Sequence, residues 1–251
     1  MIYFGKRSLF VRTFCCSLLV ITIASPLLAQ TRKSNDSINA RTLVITPRIN
    51  SAGHFPFSGA LLNKNANVDL NIFYERNRYG FFIFQSVDLE DRHSFVNYLQ
   101  PGVFRKFNMS SALQVGVFAG YVFSQTSGFK DEDSDYFTAA VVYWAIRPDL
   151  KFENTSLFFD VSQATKLANR FLMSYTIKNF RFDFFVWHRV VFEKHTHALS
   201  ASLALHPPKT KIAGNLYIQT SISYIGYLTD TKPDFARRDG FLFSVAFPLS
   251  L

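Results

Sequence analysis

Apolar and polar residues alternate one by one along most of the chain. In SALQVGVFAGYVFS, Leu113, Val115, Val117, Ala119, Tyr121 and Phe123 fall on one face. Gln114, Gly116, Phe118, Gly120 and Ser124 fall on the other. NVDLNIFYER sets Val68, Leu70, Ile72 and Tyr74 against Asp69, Asn71 and Glu75. FRFDFFVWHR sets Phe180, Phe182, Phe184 and Val186 against Arg181, Asp183 and Arg189, and RFLMSYTIK repeats the pattern from Phe171 to Ile177. A period of two is the signature of strands with two unlike faces, and a helical period is almost absent after residue 40. Twelve segments of this kind are predicted, starting near Thr42, Asn67, Tyr79, Phe95, Ser111, Tyr136, Thr155, Asn169, Phe180, Thr196, Ile212 and Gly240. Two are less regular. NYLQPGVFRKF carries Pro101, which a strand accepts only at a start, edge or bulge, and YFTAAVVYWAI is apolar on both faces.

The connections alternate as well. RNR, NMS, RPD, KN and HPPKTK are short, whereas SAGHFPFSGALLNKNA, QTSGFKDEDSD and TDTKPDFARRD are long. Short turns at one end and long loops at the other is the habit of an up-and-down barrel in an outer membrane, and an even strand number returns both chain ends to the short-turn side. A soluble sandwich also alternates, but it points its apolar face at a core. Here the apolar faces hold many large aromatics, and the opposite faces hold charges of both signs and Gly, as a lumen would. The last segment, GFLFSVAFPLSL, keeps its pattern to Leu251, as closure on the first strand requires.

Composition agrees with this picture. Of 251 residues, 48% are hydrophobic and 18% charged, and 29 are Phe, which excludes a disordered chain. The N-terminus is read apart from the barrel. Lys6, Arg7 and Arg12 precede the apolar run TFCCSLLVITIASPLLA, and small Ala29 ends it, the order of a cleaved secretory signal over residues 1–29, with an N-terminal membrane anchor as the alternative. Phe14 before Cys15 argues against a lipoprotein cysteine. Removing the signal takes away Cys15 and Cys16 and leaves +6 of the formal +9 charge, so no disulfide holds the exported fold. A short periplasmic segment, residues 30–41, then leads to the barrel at 42–251.

Over those 42–251 residues the chain resembles the bacterial outer-membrane β-barrel class, through its pattern rather than through a family motif. Its Phe-rich, Lys- and Asn-bearing style resembles proteins of the Bacteroidota. The resemblance implies that the terminal strand, with Phe241, Phe243, Val245, Phe247, Leu249 and Leu251 toward lipid, is recognised by the barrel-assembly machinery. Leu251 departs from the aromatic residue that often ends that strand. Outer-membrane lipids and lipopolysaccharide are the implied surroundings.

The polar faces supply the candidate chemistry. Asp69, Glu75, Asp88, Lys106, Asp160, Arg170, Arg181, Asp183 and Arg189 are expected in the lumen, as a charged constriction or as an ion-pair network filling a narrow barrel. Phe73, Phe82, Phe84, Phe118, Phe158, Phe185 and Trp187 are expected beside them and would narrow any pore. His195 and His197 are two apart and could share a metal, but no third ligand is evident, so no metal or cofactor is expected. Asp131, Glu132, Asp133 and Asp135 lack the spacing and Gly of a calcium loop. No His-x-Ser pair of the outer-membrane phospholipase type is present, no glycine loop cradles phosphate, and no basic stripe fits nucleic acid. The expected function is a narrow channel for small polar solutes, its motivation the mixed-charge wall with Gly116 and Gly120. The alternatives are a non-conducting barrel docking through its loops, and a lipid-modifying enzyme.

Overall fold

The computed structural model describes residues 41–55, 60–91, 93–94, 96–124, 134–159, 166–191, 196–230 and 239–251. The signal and periplasmic segment expected over residues 1–40 lie outside them. All regular structure among the described residues is strand. The first barrel strand, β1 (Arg41–Asn50), is followed by a small hairpin, β2 (Gly53–Phe55) and β3 (Ala60–Asn63). The wall then continues through β4 (Asn67–Arg76), β5 (Tyr79–Asp88), β6 (Tyr98–Asn108), β7 (Leu113–Ser124) and β8 (Asp135–Arg147). It is completed by β9 (Leu150–Phe159), β10 (Lys166–Ile177), β11 (Phe180–Val191), β12 (Thr196–His206), β13 (Thr210–Ala213), β14 (Leu216–Asp230), β15 (Gly240–Ala246) and β16 (Leu249–Ser250). Each wall strand pairs antiparallel with the next, and β15 and β16 return to β1. Because β12 with β13, and β15 with β16, each form one interrupted strand, the result is a closed barrel of twelve strands.

Closure reaches the last residue. Leu251 donates to the Leu43 carbonyl at 2.8 Å and accepts from Leu43 at 3.1 Å. Pro248 interrupts the ladder, yet Phe247 still donates to the Pro47 carbonyl at 2.9 Å. Alternation then decides which side chains meet the outside. Phe81, Val103, Val117, Trp144, Phe184, Leu203, Phe241 and Phe243 are all exposed on the outer face. In a lipid bilayer that band is solvated, and the closed ladder leaves no strand edge to be satisfied by lipid. Slipping any register by one residue would turn this band inward.

Several boundaries differ from the sequence reading. β9 starts at Leu150 rather than near Thr155, so Lys151 and Glu153 belong to the strand and to its inner face. The inward set of β9 is therefore Lys151, Glu153, Thr155, Leu157 and Phe159. Phe158, expected in the lumen, pairs with Thr138 and Leu167 on the outer face instead. HPPKTK is not the turn. Pro207 and Pro208 lack N–H groups and break the ladder, the strand resumes as β13, and the chain reverses at Gly214, where φ is +49°. The turn at Asn77 and Arg78 has φ of 53° and 72°, the left-handed pair of a type I′ hairpin.

Deleting Leu249–Leu251 removes the β16 pairing with β1 and opens the seam at the short-turn end. The deletion is expected to lose the compact, heat-modifiable band on a denaturing gel that is expected of the intact barrel. A truncated protein that keeps this band would contradict the role given to the seam.

Candidate functional site

The candidate site is the inner wall. Toward the long-loop end it is polar and tightly bonded. Arg48 of β1 faces Asp69 of β4 in register, with Nε 3.0 Å from both carboxylate oxygens and Nη2 2.8 Å from Oδ2. Asn50 Nδ2 adds a bond of 2.8 Å to the same carboxylate, and Asn50 Oδ1 accepts from Ser244 Oγ of β15 at 2.6 Å. One row higher, Asn67 donates to Ser86 at 2.9 Å. These bonds join β15, β1, β4 and β5 through their side chains. Asp69 is only 2% exposed, so its charge depends on these partners. Across the lumen Arg170 of β10 lies 5.4 Å from the centre of the Phe185 ring, and its charge interacts with Glu153, Tyr143 and Tyr98. Arg189 of β11 is buried in the same half.

A second part of the lumen is aromatic. Phe73 stacks on Phe104 at 4.6 Å between centroids, Phe104 on Phe118 at 5.3 Å, and Phe82 meets Phe118 and Phe137 at 6.1 Å. The rings lie over glycines. A methyl group on Gly102 would stand 2.5 Å from Phe82 Cζ, and one on Gly120 would stand 2.6 Å from Phe137 Cε1. Gly116 likewise faces the Phe118 ring. Gly116 and Gly120 therefore do not widen the lumen, as their position in the sequence implies. They make room for rings that narrow it.

The third part is the connection after β1. Its β2–β3 hairpin forms a sheet separate from the wall. Leu61, 1% exposed, packs with Ala52 and with Ile225 and Leu242 of the wall. Asn63 Nδ2 donates to Asp88 Oδ2 at 2.7 Å and to Ser94 Oγ at 2.8 Å, and His54 N donates to Asn67 Oδ1 at 3.4 Å. Asp88 also accepts from the Glu90 and Asp91 amides at 2.8 Å. At this end of the barrel the polar wall is buried: Asn50, Asn67 and Ser86 are 0% exposed and Ser200 is 1% exposed. The His54 ring sits near Arg48 and Arg170, and its buried Nδ1 has no hydrogen-bond partner among the described residues. Burial, with the two guanidinium charges, lowers its pKa from the ordinary 6.5 to about 3.

The short-turn half is open by comparison. Lys106 Nζ pairs with Glu75 Oε2 at 2.6 Å and lies 4.9 Å from the centre of Phe73. Asp183 holds Arg181 at 3.1 Å and His206 at 2.9 Å. These side chains keep partial exposure. Tyr143, Lys151, Glu153, Leu172 and Ser174 border a cavity of about 190 Å³. The charged side chains of the short-turn half thus keep more exposure than those of the long-loop half.

A closed barrel of this size, with charges of both signs inside and aromatics outside, can be compared directly with solved membrane channels. The NanC porin matches with a TM-score of 0.56 at 11% identity, over 83% of this chain and 100% of that one. The KdgM porin matches at 0.55 and 9%, over 83% and 99%. An outer membrane channel from Pseudomonas putida F1 matches at 0.51 and 7%, over 88% and 100%. The chain has the fold of outer-membrane porins. No protein-family model and no curated protein matches it.

Within that porin fold the sequence-predicted residues divide by height. Asp69, Arg170 and Arg189 belong to the closed half, and Glu75, Lys106, Arg181 and Asp183 to the open half. Asp160 and His195 lie outside the described residues, as do Asp131, Glu132 and Asp133. His197 is exposed on the outer face, its ring 6.3 Å from His188, and is not a lumen residue. Among the described residues no three His, Cys, Asp or Glu side chains gather as metal ligands. Ser156 Oγ lies 3.1 Å from Asn169 Oδ1 on that same outer face, and Asn169 pairs in register with His188. Asn169, on the strand between, thus separates the strands that carry Ser156 and His188. Arg48, Asn50, His54, Glu153 and His206 were not among the sequence candidates. Arg48 and Asn50 had a signal in the alternation of TLVITPRIN, and Leu61 and Leu62 mark an apolar pair inside a loop.

Arg48→Gln leaves the Asp69 charge buried with a weaker partner and is expected to destabilise the barrel by about 3 kcal/mol. The double variant Arg48→Gln, Asp69→Asn removes that charge and is expected to recover most of the loss in urea unfolding from lipid vesicles. Additive losses would contradict the pairing. The seat of His54 predicts a pH dependence. A depressed folded pKa makes the seated hairpin fully favoured above pH 6.5 and progressively less so as pH falls toward about 3. Hydrogen exchange of the hairpin amides should accelerate between pH 6.5 and 5 beyond the intrinsic change, and His54→Gln should remove that excess.

Proposed function

We propose that this protein is an outer-membrane channel for small polar solutes, with its short turns and both chain ends at the periplasm. One observation carries the reading: the inner wall bears carboxylates and cations at successive heights, from Glu75 and Lys106 up to Asp69 and Arg48. A wall of alternating sign offers a permeant polar molecule replacements for its water at each step and favours neither pure cations nor pure anions. A purely structural barrel could be filled with apolar side chains at less desolvation cost. The likeness to porins and channels over nearly the whole chain supports the same reading. The outer aromatic band fits surrounding lipid and lipopolysaccharide, and β15 with β16 is the natural segment for assembly factors to engage.

The second reading, a non-conducting barrel that docks through its loops, is favoured by the closed upper half. The two differ in planar bilayers. The folded, inserted protein is expected to give discrete, intermittent opening events of small unitary conductance. A folded sample that inserts and never opens would overturn the channel reading.

A further inference from the structure

The inner face of β8, β9 and β10 holds polar groups that the protein itself leaves unused. Two rows of the wall meet there. In one, Glu153 of β9 stands in register between Tyr143 of β8 and Leu172 of β10. In the next, toward the short turns, Lys151 stands between Ala145 and Ser174. Small neighbours leave room beside the lysine, and the cavity of about 190 Å³ lies over both rows. Other charges of the lumen are paired: Arg48 with Asp69, Lys106 with Glu75, and Asp183 with Arg181 and His206. Lys151 and Glu153 differ. Among the described residues Glu153 makes one hydrogen bond, accepting from Thr155 Oγ1 at 3.2 Å, and no ion pair. Lys151 Nζ and the Tyr143 hydroxyl make neither, while Ser174 is bonded to Asp183. Arg170, one row further from the short turns, interacts with Glu153 without forming an ion pair. Two residues along one face of a strand are about 6.8 Å apart at Cα. Lys151 and Glu153 are thus close enough to serve one small molecule, and they do not neutralise each other.

We propose that this cavity is a binding subsite for a small zwitterion of the α-amino-acid class, with Lys151 taking the carboxylate and Glu153 the ammonium. Such a solute carries both charges on one carbon, and the two side chains reach it from adjacent rows. The Tyr143 hydroxyl, beside Glu153, adds an acceptor for the ammonium. Leu172 and the tyrosine ring give an apolar side for a short side chain. The volume lies below the about 300–1,000 Å³ of pockets for drug-sized ligands, which restricts the site to small solutes. A simple anion gains Lys151 but meets Glu153, and a simple cation meets the reverse, so only a molecule of both signs uses both groups. Lys151 is exposed and Glu153 half-buried, so each contact stays weak enough to release the solute, as conduction requires. The role of the subsite in permeation rests on the channel reading above. Its capacity to bind does not.

The test uses the full protein folded in lipid nanodiscs and three solutes of one carbon skeleton: L-valine, isobutylamine and isovalerate. The second lacks the carboxylate and the third the ammonium. Ligand-observed NMR is expected to show saturable, millimolar binding of L-valine. The two single-charge solutes are expected to bind about tenfold more weakly, the effect of losing one charge-assisted hydrogen bond. Lys151→Gln is expected to weaken L-valine by about the same factor while isobutylamine, relieved of repulsion, binds no worse. Glu153→Gln is expected to do the same in favour of isovalerate. Both variants should keep the compact heat-modifiable band, and a distorted wall would not exchange one preference for the other. Equal binding of the three solutes, no saturable binding of L-valine, or an unchanged preference in both variants would overturn the proposal. Osmotic swelling of vesicles in L-valine separates the two ideas. Binding without entry upholds the subsite and ends the channel reading, and entry without saturable binding ends the subsite and leaves the channel.

Discussion

Everything in this structure depends on the pairing of β1 with the end of the chain. In hydrocarbon an unpaired amide or carbonyl has no solvent to bond to, so a sheet can face lipid only when its two edges are joined. The last barrel strand must therefore match the first along its whole length, and it does so through an awkward stretch. Pro47 and Pro248 each remove a donor from the seam. The chain meets this by placing the interruption between β15 and β16 and by using the remaining groups, with Phe247 donating to Pro47 and Tyr217 to Pro248 at 3.0 Å. The side-chain bond from Ser244 to Asn50 crosses the same seam from inside. Closure is thus secured by backbone pairing and by a polar bond in the lumen.

Once the wall is closed, its interior must be filled or wet. Twelve strands enclose more space than their own short side chains occupy. Two fillers share the work. On one side Phe82, Phe104, Phe118 and Phe137 pack against Gly102, Gly80, Gly116 and Gly120, with Phe73 stacked on Phe104. On the other, the hairpin after β1 brings Leu61 in from a loop. Between them the charged residues remain bonded to partners rather than stacked as a like-signed ring. The arrangement leaves the charges of the short-turn half partly exposed and those of the long-loop half buried, which gives the lumen a direction that strand pairing alone would not.

The wall was legible in the sequence because its physics is local. A period of two needs only neighbouring residues, and one face of each strand meets a single environment. The order, number and facing of the strands follow, as do Asp69, Glu75, Lys106, Arg181 and Asp183 as inward residues. Errors occurred where a local cue had two meanings. The segment starting near Thr155 missed the inward Lys151 and Glu153, and Phe158 was set on the wrong face. Pro207 and Pro208 mark a break in either a turn or a strand. The inward hairpin was not legible as such, since nothing local says whether a long loop with Leu61 and Leu62 lies over the mouth or inside it. The glycines misled for a related reason: a missing side chain is open space only if no distant residue enters it, and Phe82 and Phe137 come from other strands.

That exchange of ring for glycine separates two properties that usually change together in a barrel. Bore is ordinarily tied to strand number and shear, so a wider channel needs a different wall. Here the wall behind the rings is bare backbone, and the free diameter at that height is fixed by a handful of aromatic side chains anchored opposite their glycines. Exchanging one Phe for a smaller residue would widen the lumen at that height, with the hydrogen-bonded ladder, the lipid-facing band and the seam all unchanged.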